Sequence, residues 1–158
     1  MNANAHFLAD ESATESFGAT LARLCALQGL ITLSGDLGSG KTTLSRGLIR
    51  AAGHQGAVKS PTFTIVEPYE LATGRIMHFD LYRLEDPEEL EYLGFRDYLD
   101  GKTLCLVEWP EKAGSLLPPA DLALTLKLQD RGRIVSWSTP NPAGEKLASA
   151  LHAHFHKL

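Results

Sequence analysis

The stretch SGDLGSGKTTL, residues 34–44, contains glycine, lysine and threonine at a spacing that suits phosphate chemistry. Gly35, Gly40, Lys41 and Thr42 fit the pattern G-x-x-x-x-G-K-[ST] without a gap. Glycines allow backbone N–H groups to curl around anionic oxygens, and a following helix points its positive N-terminal end at them. A lysine at this position reaches the β and γ phosphates, and the threonine hydroxyl is a ligand for Mg²⁺. The pattern therefore predicts a site for a nucleoside triphosphate.

Such a loop also needs an acid that orients the magnesium shell, usually at the end of an apolar strand. Glu108 follows the apolar residues 104–107 and matches a carboxylate at the end of a buried strand. Asp80 lies in HFDLYR, where strand alternation puts it on the same face as His78. From spacing alone, Asp80 could instead pair with Arg83 or another basic residue on a solvated sheet face, so both interpretations stay open.

A third polar segment, SPTFT, lies between the phosphate loop and these acids. It places the hydroxyls of Ser60 and Thr62 on either side of Pro61. In nucleotide switches, such a loop can order around a γ-phosphate and its metal. The alternative is a proline turn that simply starts a strand, and the spacing alone favours that alternative.

These side chains need a strand, a loop and a helix in that order, and the sequence predicts all three. The apolar residues 30–33 predict the strand, and the helical spacing of apolar residues within 41–52 predicts the helix. Before the strand, Asp10 or Ser12 could cap a first helix that ends at Gly29.

The rest of the chain alternates β-rich runs with shorter helical patterns. Two antiparallel pairs are predicted, the first from FTIVEPYE and RIMHFDLYR, the second from DLALTLKLQ and RIVSWST. TLCLVEW predicts one further apolar strand, EDPEELEYLGFRDYLD one or two short helices, and GEKLASALHAHFHKL a final helix. The predicted fold class is α/β: one P-loop NTPase domain over residues 1–158, with a mixed parallel and antiparallel central sheet flanked by helices.

Composition narrows the possible functions. The chain has 158 residues, a formal net charge of −4 and 44% apolar residues, which is enough for a single core. The acidic balance argues against a surface that grips nucleic acid unaided. No basic leader and no apolar stretch of about 20 residues is present, so we expect a soluble cytoplasmic protein. Cys25 and Cys105 are expected to be reduced residues of the core.

Several classes of nucleotide enzyme fit less well. The chain lacks the N-K-x-D pattern that reads guanine and the D-x-x-G switch after a strand, so guanine specificity is unsupported. A small-molecule kinase remains possible, although no arginine-rich lid segment is present.

Four motifs together resemble one family. GDLGSGKTT, SPTFTIVEPY, HFDLYRL and LVEWPEK, in this order and at these separations, resemble the TsaE family (also called YjeE), the bacterial ATPase of tRNA threonylcarbamoyladenosine biosynthesis. The resemblance runs from about Asp10 to about Trp137, and the last three motifs are far more specific than the phosphate loop.

The resemblance implies a P-loop domain that binds ATP and Mg²⁺ and hydrolyses ATP slowly by itself. Its partners would be the TsaD and TsaB proteins. The complex would place threonylcarbamoyl on the adenosine next to the anticodon of tRNAs that read codons starting with A. Because the complex would hold the tRNA, the acidic charge of this chain is compatible with that role.

The resemblance also implies roles for particular residues. The phosphate loop would consist of Gly38, Ser39, Gly40, Lys41, Thr42 and Thr43. Thr42 and Glu108 would hold the metal, and Lys41, Asp80 and Glu108 would act in catalysis. Ser60 and Thr62 would belong to a switch-like loop, and Glu11 and Arg133 to the nucleotide pocket.

Two rival functions remain open at this point. In one, the chain is a nucleotide-sensing binding module, in which ATP occupancy controls assembly without hydrolysis. In the other, it is a P-loop kinase that transfers phosphate to a small molecule.

Overall fold

A computed structural model describes residues 4–156 as a seven-stranded sheet with helices on both faces. The strands are β1 (Ala5–Leu8), β2 (Gly29–Ser34), β3 (Val66–Leu71), β4 (Gly74–Asp80), β5 (Thr103–Glu108), β6 (Leu122–Gln129) and β7 (Gly132–Ser138). The α-helices are α1 (Glu11–Leu24), α2 (Lys41–Ala51), α3 (Glu88–Tyr92) and α4 (Glu145–Phe155). Short 3-10 helices cover Phe95–Tyr98, Pro110–Leu116 and Pro142–Gly144.

The sheet is mixed, as the sequence predicts. Its strand order is β1-β7-β6-β2-β5-β4-β3. β2 runs parallel to both of its neighbours, β5 and β6, and β4 runs parallel to β5. The antiparallel pairs are β3 with β4, β6 with β7, and β1 with β7. The two predicted hairpins are thus confirmed, and the parallel strands end side by side where Asp80 lies opposite Glu108.

The sequence did not predict the first strand, β1. Residues 5–8 pair antiparallel with residues 133–136 of β7, at the edge of the sheet. A four-residue run is too short to show a periodic pattern, and its partner lies at the far end of the chain. Long-range pairing therefore creates this strand.

Different helices pack against the two faces of the sheet. On one face, Ile31, Leu33 and Leu106 pack in a cluster with apolar residues of α1, α2 and α4. On the other face, Phe79 and Val107 belong to a second cluster, which includes residues of α3 and the short helices that follow β4 and β5. The alternation predicted for β4 is confirmed, because Met77 and Phe79 belong to the second cluster and Ile76, between them and the start of the strand, belongs to the first.

Three predicted boundaries are wrong. Helix α1 is capped by Asp10, as expected, but it ends at Leu24 and not near Gly29, with Cys25 in an extended conformation after it. The strand predicted to begin at Phe63 begins at Val66, and residues 61–64 form turns. The final helix ends at Phe155, and residues 157–158 of the predicted helix lie outside the described part.

Helices α1 and α2 approach each other closely through glycine. A Cβ on Gly18 of α1 would lie 2.1 Å from the carbonyl oxygen of Leu44, and one on Gly47 of α2 would lie 2.0 Å from that of Glu15. The backbones of α1 and α2 therefore pack directly against each other at these two glycines. Within residues 4–156, no helix is long and apolar enough to cross a membrane.

Candidate nucleotide-binding site

The loop between β2 and α2 has a backbone that only glycine accommodates without strain at several points. Gly35, Gly38 and Gly40 have φ angles of 149°, 79° and 108°. A Cβ on Gly40 would also lie 2.8 Å from a guanidinium nitrogen of Arg133. The loop therefore keeps its backbone open above the N-terminus of α2, which begins at Lys41.

The Lys41 side chain crosses this loop. Its Nζ donates hydrogen bonds to the carbonyl oxygens of Gly35 (2.6 Å) and Asp36 (2.9 Å), and lies 4.4 Å from the centroid of the Trp109 ring. Burial lowers the pKa of the Lys41 ammonium, and the nearby Glu108 and Asp80 carboxylates oppose that shift. The ammonium is thus placed where an anion in the cleft would meet it.

Thr42, at the start of α2, contacts Glu108, at the end of β5. The Thr42 hydroxyl donates a hydrogen bond to Glu108 Oε1 at 3.0 Å. The other carboxylate oxygen, Oε2, lies 2.6 Å from Nε2 of His78. Glu108 is almost fully buried, and its two oxygens have two different partners.

Asp80 lies beside Glu108 at the end of β4 and is only 5% exposed. Its Oδ1 accepts a hydrogen bond from the Tyr82 backbone N–H at 3.0 Å, and its Oδ2 accepts one from the Thr62 hydroxyl at 3.3 Å. Burial raises the pKa of Asp80, and the Tyr82 amide opposes that shift. Pairing with Arg83 on a solvated face is wrong, since the Arg83 guanidinium lies 4.5 Å from the Phe63 ring centroid instead.

The SPTFT segment reaches the cleft through one hydroxyl. Ser60 Oγ and Thr62 Oγ1 are 2.7 Å apart, and Thr62 contacts Asp80. Because a threonine hydroxyl has one proton, donation to Asp80 makes Ser60 the donor to Thr62. Ile65 closes the turn, since its N–H donates to Pro61 O at 2.7 Å with a φ angle of 69°.

The remaining predicted residues surround the loop from α1 and β7. Glu11, the first residue of α1, faces Arg46 at 3.7 Å. Arg133 of β7 lies against the loop, and its buried Nε has no hydrogen-bond partner within the described residues. The buried Ser39 hydroxyl likewise has none in that part of the chain.

Nearly all the predicted residues line one cleft of about 460 Å³, a size typical of small-molecule sites. Its lining comprises Glu11, Leu37, Gly38, Gly40, Lys41, Thr42, Thr43, Thr62, Asp80, Tyr82, Glu108, Trp109 and Arg133. Ser39 and Ser60 are the predicted residues outside the lining; Ser39 is buried within the loop and Ser60 contacts Thr62.

Comparison with known proteins shows the family to which this chain belongs. Residues 8–135 match the family model described as threonylcarbamoyl adenosine biosynthesis protein TsaE. The chain belongs to the TsaE family. A relative from Haemophilus influenzae, named tRNA threonylcarbamoyladenosine biosynthesis protein TsaE, is 49% identical over 121 residues, 77% of this chain and 77% of its own length. A relative of the same name from Bacillus subtilis is 37% identical over 126 residues, 79% of this chain and 78% of its own.

A solved structure agrees with this assignment to the TsaE family. The crystal structure of Bacillus subtilis YdiB superposes with a TM-score of 0.81 and 28% sequence identity, covering 95% of this chain and 94% of that one. The family resemblance and the fold class predicted from sequence are both confirmed.

The donor set in this TsaE-family cleft fits a triphosphate with a hard divalent cation. Thr42 and Glu108 present a hydroxyl and a carboxylate to each other at 3.0 Å, and hard cations prefer such oxygens. The described residues include no group of three or more His, Cys, Asp and Glu arranged to hold a metal. Mg²⁺ needs no such group, since it is usually bound by one or two carboxylates together with substrate phosphates.

Four residues of this site lie outside the predicted set, and two of them, Tyr82 and Trp109, line the cleft beside the predicted acids. Leu37 lines the cleft from the phosphate loop, and His78 contacts Glu108 from the centre of β4. A signal for His78 was present in the alternation of HFDLYR, which puts it on the face of Asp80. The register that brings it to Glu108 is set by strand pairing and cannot be read from spacing.

Proposed function

We propose that this chain is the ATP-binding and ATP-hydrolysing subunit required to form threonylcarbamoyladenosine in tRNAs that read codons starting with A. The observation that carries the proposal is the convergence of Thr42 with Glu108 at 3.0 Å, beside Asp80, at the end of a phosphate loop. Membership of the TsaE family supports the tRNA-modifying role.

The phosphate loop would bind the triphosphate. The Lys41 ammonium donates to two loop carbonyls. Phosphate oxygens would compete for these donors, because a hydrogen bond from an ammonium to an anionic oxygen is stronger than one to a neutral carbonyl. The open backbone around Gly38 and Gly40 would offer N–H donors, with the N-terminus of α2 behind them. Glu11 and Arg133 would contact the nucleotide from the side of α1 and β7.

Thr42 and Glu108 would hold Mg²⁺, which would supply the positive charge that neutralises the oxygens of the transferring phosphoryl group. Asp80 would orient the attacking water, since its carboxylate faces the same cleft. Ser60 and Thr62 would link the SPTFT segment to Asp80 through their hydroxyls, so that nucleotide occupancy affects the position of this loop.

The output of hydrolysis would go to partner proteins. A formal net charge of −4 argues against a chain that grips tRNA unaided, and we propose that the TsaD and TsaB proteins hold the tRNA and that this chain acts on them in the cytoplasm. We further propose that residues 1–158 act as one P-loop ATPase domain, with little activity alone.

An ATPase assay tests the proposal directly. Phosphate release would be measured for this chain alone, and again with the two partner proteins and tRNA. Lys41→Ala should lower turnover at least about tenfold, equivalent to ~1.4 kcal/mol in the barrier. Lys102→Ala, which changes an exposed lysine, is the matched control and should retain wild-type turnover.

The two rival functions predict other outcomes of the same assay. If a non-hydrolysable ATP analogue supports repeated rounds of tRNA modification, then occupancy and not hydrolysis is the driver, and the chain is a binding module. If phosphate appears on an added metabolite instead of in solution, the chain is a kinase.

A further inference from the structure

His78 is a buried histidine at a position where an apolar side chain would satisfy the packing. It lies in the middle of β4, is fully buried, and pairs in register with Leu106 of β5. The residues two positions before it and directly opposite it, Ile76 and Leu106, belong to the apolar cluster beneath α1 and α2. Burying a polar ring among such side chains is costly unless a specific hydrogen bond compensates.

That hydrogen bond goes to Glu108. Nε2 of His78 is 2.6 Å from Glu108 Oε2, while the buried Nδ1 has no partner among residues 4–156. An ionised carboxylate only accepts hydrogen bonds, so Nε2 is the donor. The contact with Glu108 is therefore the side-chain hydrogen bond that compensates for burying this ring.

The consequence is a fixed orientation of the Glu108 carboxylate. With Oε2 held by His78, Oε1 faces Thr42, whose hydroxyl donates to it at 3.0 Å. Without the imidazole, Oε2 would be buried without a partner and the carboxylate could rotate away from Thr42. Partners of this kind, one step removed from a cation, are known to set the orientation of the ligand that they contact.

We propose that His78 is a positioning residue that aims Glu108 Oε1 at Thr42, and thereby sets the affinity of the site for the divalent cation that accompanies the nucleotide. This inference rests on the proposed function, because it assumes that Thr42 and Glu108 hold that cation. His78 itself would contact neither nucleotide nor cation.

The test separates cation affinity from nucleotide affinity. Binding of a fluorescent ADP analogue would be measured in EDTA and at increasing Mg²⁺ for the wild type, His78→Leu and His78→Gln. Glutamine can place its amide nitrogen near the position of Nε2, so it can still donate to Glu108. Met77→Leu, a buried apolar change on the other face of the same strand, is the matched control for packing effects.

We expect His78→Leu to raise the Mg²⁺ concentration at half-saturation about tenfold and to change the affinity in EDTA less than about twofold. His78→Gln should recover most of the loss, and Met77→Leu should match the wild type. A folded His78→Leu protein with wild-type dependence on Mg²⁺ would overturn the inference alone. A wild type that binds the analogue with no dependence on Mg²⁺, or that does not bind it, would overturn the proposed function as well.

Two further measurements decide the question if His78→Leu does not fold. His78→Asn is polar but too short to reach Glu108, so it should show the tenfold shift that His78→Gln avoids; equal behaviour of the two would overturn the inference. In the wild type, nitrogen NMR of the imidazole should show a proton on Nε2. A ring with a proton on Nδ1 alone could not donate to Glu108 and would also overturn the inference.

Discussion

Carboxylates serve opposite purposes at the two ends of the parallel strands. At the amino end, Asp121 accepts hydrogen bonds from the Leu30 backbone N–H at 2.8 Å and from the Asn141 side-chain amide at 2.9 Å. At the carboxyl end, Asp80 accepts one backbone N–H, from Tyr82, but Asp80 and Glu108 also contact hydroxyls and an imidazole at the edge of a cleft. Both ends thus contain acids with hydrogen-bond partners, but the partners differ in kind.

The difference lies in whether a partner can be exchanged. The donors to Asp121 belong to the start of β2 and to the turn before α4, so the carboxylate joins segments that are distant in sequence. The hydroxyls of Thr42 and Thr62 line the cleft, where a ligand can take the place of a carboxylate. Loss of an acid should therefore affect folding stability at the amino end and turnover at the carboxyl end.

The largest expected effect is on stability. Asp121→Ala removes the acceptor for both donors, so the free energy of unfolding should fall by about 2 kcal/mol, the order expected for hydrogen bonds to a charged group. Urea denaturation measures this change. ATP turnover per folded molecule should remain that of the wild type. A large loss of turnover in the folded variant would mean that the two ends are coupled.

The opposite result is expected for Asp80→Ala. Its turnover of ATP should fall at least about tenfold, or ~1.4 kcal/mol in the barrier, because the proposed function assigns this carboxylate to the orientation of the attacking water. The free energy of unfolding should change little, since the removed group is a desolvated acid. Asp97→Ala, an exposed acid, is the control for both measurements. Wild-type turnover by Asp80→Ala would exclude this acid from the chemistry.

A smaller effect should come from the loop that contacts Asp80. Thr62→Val keeps the shape of the side chain but removes the hydroxyl that donates to Asp80 at 3.3 Å. Loss of one such hydrogen bond, about 1 kcal/mol, corresponds to about a fivefold fall in turnover. Thr64→Val is the matched control, because that hydroxyl donates to Glu67. Equal turnover of the two variants would show that the loop does not act through Asp80.

Much of this contrast could be predicted from local sequence. The glycine spacing of the phosphate loop, the Asp10 cap and the carboxylate at the end of β5 each follow from a few neighbouring residues, and the structure has all three. The alternation in β4 correctly put His78 and Asp80 on one face. These features depend on chain geometry within one element, which the spacing of residues records.

Features that depend on distant pairing could not be predicted. The β1 strand exists because residues 5–8 meet β7, and the contact of His78 with Glu108 depends on the register of β4 against β5. Thr62 and Thr64 have strand-forming side chains, yet the hydrogen bond from Ile65 N–H to Pro61 O holds them in a turn. In each case a contact between elements outweighs the local preference.

The smallest expected effect is a change in how stability depends on pH. Burial raises the pKa of Asp80, so the folded state binds this proton more tightly than the unfolded state does. The stability that Asp80 contributes is therefore present below its ordinary pKa of 3.8 and is lost as the pH rises through the raised value. The sign is opposite at Asp100, where the Lys102 backbone N–H lowers the pKa and stability is lost as the pH falls.

Replacing each acid by its neutral amide separates these signs. Asp80→Asn keeps the hydrogen-bonding shape at the carboxyl end, so its free energy of unfolding relative to the wild type should rise between pH 4 and pH 7, where the wild-type carboxylate ionises at a cost. Asp100→Asn should show the reverse slope, and at lower pH: the stability that the Asp100 carboxylate contributes is present above its ordinary pKa of 3.8 and is lost as the pH falls through the lowered value. Urea denaturation from about pH 3 to about pH 7 therefore covers both changes. If the two slopes had the same sign, the folded protein would accommodate the Asp80 carboxylate as well as it does a surface acid. Asp80 would then not differ from acids that stabilise the fold, such as Asp121.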